Sequence, residues 1–76
     1  MKKRPEHPVL AFGNRRNWDR QMTAEWFGIT PVNFRQIIGA FTGVSFERAL
    51  KWADDSEGEF TALDVLLWHR KYRRMT

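Results

Sequence analysis

Residues 28–31, Gly-Ile-Thr-Pro, constrain the fold of this chain more than any other segment. Glycine adopts the positive φ of a helix C-terminal turn with no Cβ penalty, so a helix arriving at Gly28 stops there. Thr30 then offers a hydroxyl to the free N–H groups of a first turn. Pro31 loses nothing at the first helical position, so a second helix starts at once. Only Ile29 lies between stop and start, and two helices therefore meet at a tight corner with an apolar residue in it. Upstream, Asp19 caps a first helix from about Arg20 to Phe27, with Met22, Thr23, Trp26 and Phe27 at spacings of four. Downstream, Phe34, Ile37, Ile38 and Phe41 recur at helical steps and leave Val32, Asn33, Arg35 and Gln36 toward solvent, until Gly39 and Gly43 weaken and stop the helix.

Such a corner needs a core to hold it. A chain of 76 residues buries only about 60% of the surface its unfolded form exposes. With no cysteine there is neither a disulfide nor a thiolate metal site, and packing must supply the stability. Four Trp, six Phe and one Tyr provide the apolar payload for one compact core without a cofactor, and Trp26 and Trp68 are expected inside it. A second domain within these residues is not expected. The lack of cysteine fits a reducing, cytoplasmic setting. Met1-Lys2-Lys3-Arg4 begins like a signal peptide, but Pro5-Glu6-His7-Pro8 stands where an apolar stretch is needed, so no secretion signal is expected. Apolar runs of three or four residues fall far short of the roughly 20 that span a bilayer, so a membrane is not an expected partner.

The remaining elements read as follows. Residues 1–16 lack periodicity, contain Pro5, Pro8 and Gly13, and carry five bases; they are expected to form a flexible basic arm, with Val9, Leu10 and Phe12 docking on a single domain at 17–76. Residues 44–53 fit two patterns. Phe46, Ala49, Leu50 and Ala53 have helical spacing behind Ser45, with Glu47 and Lys51 as a favourable i,i+4 pair, and helix is the preferred reading. Val44, Phe46, Leu50 and Trp52 also fit most of an alternating strand, which Asp54-Asp55-Ser56-Glu57-Gly58 would turn into a hairpin with Glu59-Phe60-Thr61. Thr61 with Asp64 resembles a capping box and opens a last helix through Leu63, Val65, Leu66, Leu67, Trp68 and Tyr72. The expected fold class is mainly α: a compact domain of three to four helices, with a short β-hairpin wing as the alternative over residues 44–60.

Charge is sorted along the chain. Residues 1–53 carry nine Lys or Arg against four acids, residues 54–64 carry five acids and no base, and residues 65–76 carry four bases, for a net charge of +4. Basic segments on either side of an acidic one suggest one face for a polyanion and another turned away from it. His7 and His69 are the only histidines; without cysteine partners no zinc site is expected, and His69 beside Arg70 reads as surface. No glycine-rich phosphate loop follows a strand, and no nucleophile has a histidine placed beside it, so neither enzymatic activity nor a cofactor is expected.

Residues 22–38, Met-Thr-Ala-Glu-Trp-Phe-Gly-Ile-Thr-Pro-Val-Asn-Phe-Arg-Gln-Ile-Ile, resemble a helix-turn-helix unit. Ala24 is small where two helices cross, Gly28 turns the chain, Ile29 plugs the corner, and Phe34 and Ile37 clamp the second helix to the core. The resemblance implies that the second helix enters the major groove of double-stranded DNA with its first turn and the next one facing the bases. That implicates Thr30, Pro31, Val32, Asn33, Arg35 and Gln36 as base-contacting residues: Arg35 suits guanine, Gln36 or Asn33 suits adenine, and Val32 a thymine methyl. Phosphate contacts are then expected from Arg15, Arg16 and Arg20, and from Arg48, Lys51, Arg70, Lys71, Arg73 and Arg74. Past the motif the order of elements is similar to the winged modules of excisionases, MerR-type regulators and phage small terminase subunits. The segment Glu59-Phe60-Thr61-Ala62-Leu63-Asp64-Val65-Leu66-Leu67-Trp68 resembles their aromatic-led helix, whereas Asp54-Asp55-Ser56-Glu57-Gly58 departs from a basic wing and would repel phosphate. The implied function is that of a small phage- or prophage-type regulator of transcription, excision or packaging, associated with the nucleoid. One such domain makes few base contacts, so a homodimer or cooperative array is the expected acting form. The alternative is a protein-interaction module that meets a host protein through the acidic segment 54–64 or an exposed aromatic patch; an RNA or single-strand binder is a third reading, favoured only where several tryptophans are exposed.

Overall fold

The structure, a computed structural model, describes residues 5–72, which form α1 (Pro8–Arg15), α2 (Arg20–Trp26), α3 (Pro31–Ile38), α4 (Phe46–Asp55) and α5 (Ala62–Tyr72). Each helix opens on a side chain that takes an otherwise unpaired backbone N–H. His7 accepts from Val9, Asp19 from Met22, Thr30 from Asn33 and Ser45 from Arg48. At α5 the expected capping box is complete, since Thr61 Oγ1 accepts from the Asp64 N–H at 3.1 Å and Asp64 Oδ2 accepts from the Thr61 N–H at 2.9 Å.

Three expectations are corrected. Residues 8–15 are not a flexible arm, and the helices number five among the described residues. His7-Pro8 repeats the acceptor-then-proline start of Thr30-Pro31, and Val9 and Phe12 are fully buried in the core. No strand occurs among the described residues, so the hairpin alternative for 44–60 is replaced by α4. Ala49 and Trp52, three apart, point inward, and Lys51 reaches Asp55 across one helical turn at 3.0 Å. The chain breaks only after Asp55, through Glu57 and Gly58 at φ of 57° and 87°. Finally, α3 ends at Ile38 rather than Phe41. Ala40 takes φ of 63°, the Phe41 N–H closes back on Gln36 O at 3.0 Å, and the Phe41 ring turns outward at 57% exposure.

The α2–α3 corner is built as the sequence requires. Gly28 has φ of 68°, its N–H bonds to Glu25 O, and the Ile29 N–H bonds to Ala24 O at 2.8 Å. Ile29, Ala24, Phe34 and Ile37 are all buried, so the corner and the inner side of α3 are part of the core. That core centres on Trp52, Phe12, Phe27, Phe34 and Val65. Around it α4 packs on α5, α1 on both α2 and α5, and α2 on α3. The α1–α2 crossing is close because Gly13 lacks a side chain: a Cβ there would lie 2.9 Å from Thr23 Cβ, nearer than carbon atoms approach. No helix among the described residues is long and apolar enough to cross a membrane.

Candidate nucleic-acid interface

Because Phe34 and Ile37 face inward, the other side of α3 is held outward by the same packing. Thr30, Pro31, Val32, Asn33, Arg35 and Gln36 are all exposed, Val32 at 66%. This face carries no acid. Beside it, Arg20 at the start of α2 and Arg35 on α3 line the same two clefts, one completed by Gln21, Pro31 and Phe34 and the other running past Ile38, Gly39 and Trp68 to Glu6, whose carboxylate accepts from Asn14. Neither arginine belongs to an ion pair among the described residues. The structure therefore brings together the expected base-contacting residues and one of the expected phosphate contacts.

Other expected phosphate contacts are placed differently. Arg15 and Arg16 converge on Glu59, at 2.8 and 2.6 Å, and the Arg16 guanidinium also lies 3.5 Å from the centroid of the Phe12 ring. The two guanidinium groups, Arg16 above all, pull the Glu59 carboxyl down to about 2 through charge-assisted hydrogen bonds. This clasp joins the end of α1 to the loop before α5, so both arginines serve the fold. Lys51 is engaged by Asp55, Arg48 sits 5.8 Å from the Trp52 ring centroid, and Lys71 sits 5.5 Å from that of Tyr72. Arg70 is exposed on α5, while Arg73 and Arg74 lie outside the described residues. The acidic segment is also partly consumed: Asp55, Glu59 and Asp64 are bonded within the chain, which leaves Asp54 and Glu57 outward.

Sequence reasoning missed a buried histidine pair. His7 and His69, 62 residues apart, bring their Nε2 atoms to 2.8 Å, and both rings are buried, so His69 is not the surface residue expected. His7 Nδ1 accepts from the Val9 N–H at 3.1 Å, which puts its proton on Nε2 and makes it the donor to His69 Nε2. Burial, with the His69 ring beside it, pushes His7 down to about 3. The pair forms a hydrogen-bonded bridge between the start of α1 and α5, and no group of three or more metal-ligating side chains occurs among the described residues. Trp68 buries as expected and donates its indole N–H to Pro5 O at 2.9 Å. Trp26 does not bury: it is 49% exposed, and its indole N–H bonds to Asp55 O at 3.0 Å. The chain matches no family model, and no significant match to it was found among curated proteins or solved structures.

Proposed function

We propose that α2 and α3 form a helix-turn-helix unit and that the protein binds double-stranded DNA with α3 in the major groove. One observation carries the reading: the outward face of α3 presents Val32, Asn33, Arg35 and Gln36 without an acid, beside an Arg20 that no ion pair among the described residues holds. Arg35 is long and forked enough to take guanine O6 and N7 together, Gln36 and Asn33 have the paired donor and acceptor that adenine requires, and Val32 offers a methyl contact to thymine. Arg20 supplies a phosphate contact that sets the register of α3, and Arg48, like Arg70, belongs to no ion pair among the described residues. The acidic segment supports the rival protein-binding reading less than its composition suggests, since three of its five acids are occupied internally. The protein acts by occupying its site, as a regulator of transcription, excision or packaging.

The test is a titration of the purified protein against random duplex DNA and a matched single strand over a range of salt concentrations. Duplex preference is expected, with affinity falling as salt rises. Arg20→Ala is expected to flatten that dependence by about one unit of log K per log salt. Equal affinity for the single strand, or no binding at low salt, would refute the proposal.

A further inference from the structure

The inner side of α5 is fixed by Ala62, Val65, Trp68 and His69, all buried. Its outer side, half a turn away, carries Leu63 at 61% exposure and Leu67 at 49%, one helical turn apart. Asp64 lies at the N-terminal end of this stripe and Arg70 and Lys71 at its C-terminal end, all three exposed. An apolar stripe with an acid at one end and bases at the other is complementary to itself when reversed. We propose that the outer face of α5 pairs with α5 of a second copy of this chain, antiparallel, about a two-fold axis at Leu67.

In that arrangement Leu67 meets Leu67 of the second copy. Asp64 stands beside Lys71 of the second copy, and Leu63 lies under the methylene stem of its Arg70. The same contacts recur on the other side of the axis, as an isologous interface requires. Asp64 Oδ2 is held by the Thr61 N–H, and Oδ1 remains for the pairing. The two other exposed apolar stripes lack this property: a two-fold axis at Leu50 of α4 sets Glu47 against Asp54, acid against acid, and one at Met22 of α2 sets Asp19 against Trp26, with no cation to meet the acid. Eleven residues make α5 about 16 Å long, so the buried area lies below the roughly 1,200 Å² of a standard interface and the dimer is weak and concentration-dependent. The inference uses no residue of the α3 face and stands whether or not the protein binds DNA.

Sedimentation velocity of the full chain without DNA, from about 1 μM to about 1 mM, reads the association directly. The mass is expected to climb from the 9.1 kDa of one chain toward twice that value. Leu67→Arg is expected to hold it at one chain throughout. Asp64→Lys alone, and Arg70→Glu with Lys71→Glu alone, each repel their own copies and are expected to weaken association by about tenfold or more. An equimolar mixture of these two variants restores opposite charges at both ends of the pair and is expected to associate within about threefold of the native chain. Circular dichroism verifies that each variant is folded. Leu67→Arg disturbs no cap, so it decides the matter even where the loss of the Asp64 cap unfolds its variant. A native chain that stays monomeric at the highest concentration, a Leu67→Arg chain that still dimerises, or folded charge variants that do not associate on mixing would each overturn the proposal.

Discussion

Acidification from pH 7.5 to pH 5.0 tests the buried histidine pair. Both nitrogens of His7 are committed, Nδ1 as acceptor from the Val9 N–H and Nε2 as donor to His69, so a second proton on this ring must break the cap of α1. His7 is therefore held at about 3 when folded, against 6.5 as its ordinary value. A histidine with a lowered folded pKa favours the unfolded chain wherever the unfolded ring takes a proton and the folded ring does not. Its contribution is whole above 6.5 and declines as pH falls from 6.5 toward 3. One proton costs about 1.4 kcal/mol per pH unit, so the 1.5 units between 6.5 and 5.0 remove about 2 kcal/mol. For a domain of this size that is a fall in Tm of about 8–16 °C. Glu59, held at about 2 by Arg16 and Arg15, loses its contribution only as pH falls below its ordinary 4.5, which keeps the two effects apart. Thermal melts followed by circular dichroism at constant ionic strength give the slope. His7→Asn retains a capping oxygen and removes the titrating ring, so the slope is expected to fall by one proton per molecule. A native Tm unchanged between the two pH values, or a His7→Asn chain with the full native slope, would refute the assignment.

Gly13→Ala is expected to destabilise by about 1–3 kcal/mol although alanine is the better helix former, because the added carbon runs into Thr23 Cβ; an unchanged melting temperature would show that α1 and α2 do not cross this closely. Glu57→Gly relieves a side chain held at φ of 57° on an exposed turn and is expected to raise the urea midpoint by the equivalent of about 0.5–1 kcal/mol, whereas a lower midpoint would contradict that backbone geometry. Arg35→Ala is expected to lose about 1–3 kcal/mol of discrimination at one base position with the fold intact; equal loss on all sequences would make it a phosphate contact.

What the sequence discloses about the fold follows from where its signals are local. Gly28 and Thr30-Pro31 each act within one turn of chain, and the α2–α3 corner appears where they put it. The start of α1 carries an equally local signal in His7-Pro8, but histidine is not among the usual capping residues, so the signal does not stand out. Here its Nδ1 takes the N–H that a serine or threonine oxygen takes elsewhere. The end of α3 was misplaced for the opposite reason. Gly39 and Gly43 stand on either side of the residue that turns the chain, and Ala40 adopts the positive φ without any glycine to mark it. The pairing of His7 with His69 is a property of the α1–α5 packing, and 62 intervening residues hide it from any window along the chain.

The charge pattern shows how a correct count misleads about a site. The basic segment, the acidic segment and the basic end read as separate blocks with separate partners, yet folding brings the first two together. Arg15 and Arg16 meet Glu59 across more than 40 residues, and Lys51 meets Asp55 within α4. A cation that neutralises a carboxylate in the same chain attracts phosphate far less than one that stands alone. The useful distinction for the DNA-binding reading is therefore between paired and unpaired arginines, and sequence does not draw it. Arg20 and Arg35 line the same clefts at the junction of α2 and the outward face of α3, with no acid among the described residues bonded to either. That position follows from the Gly28 corner, which sets where α3 starts relative to α2. The segment that most constrains the fold thus also assembles the candidate site.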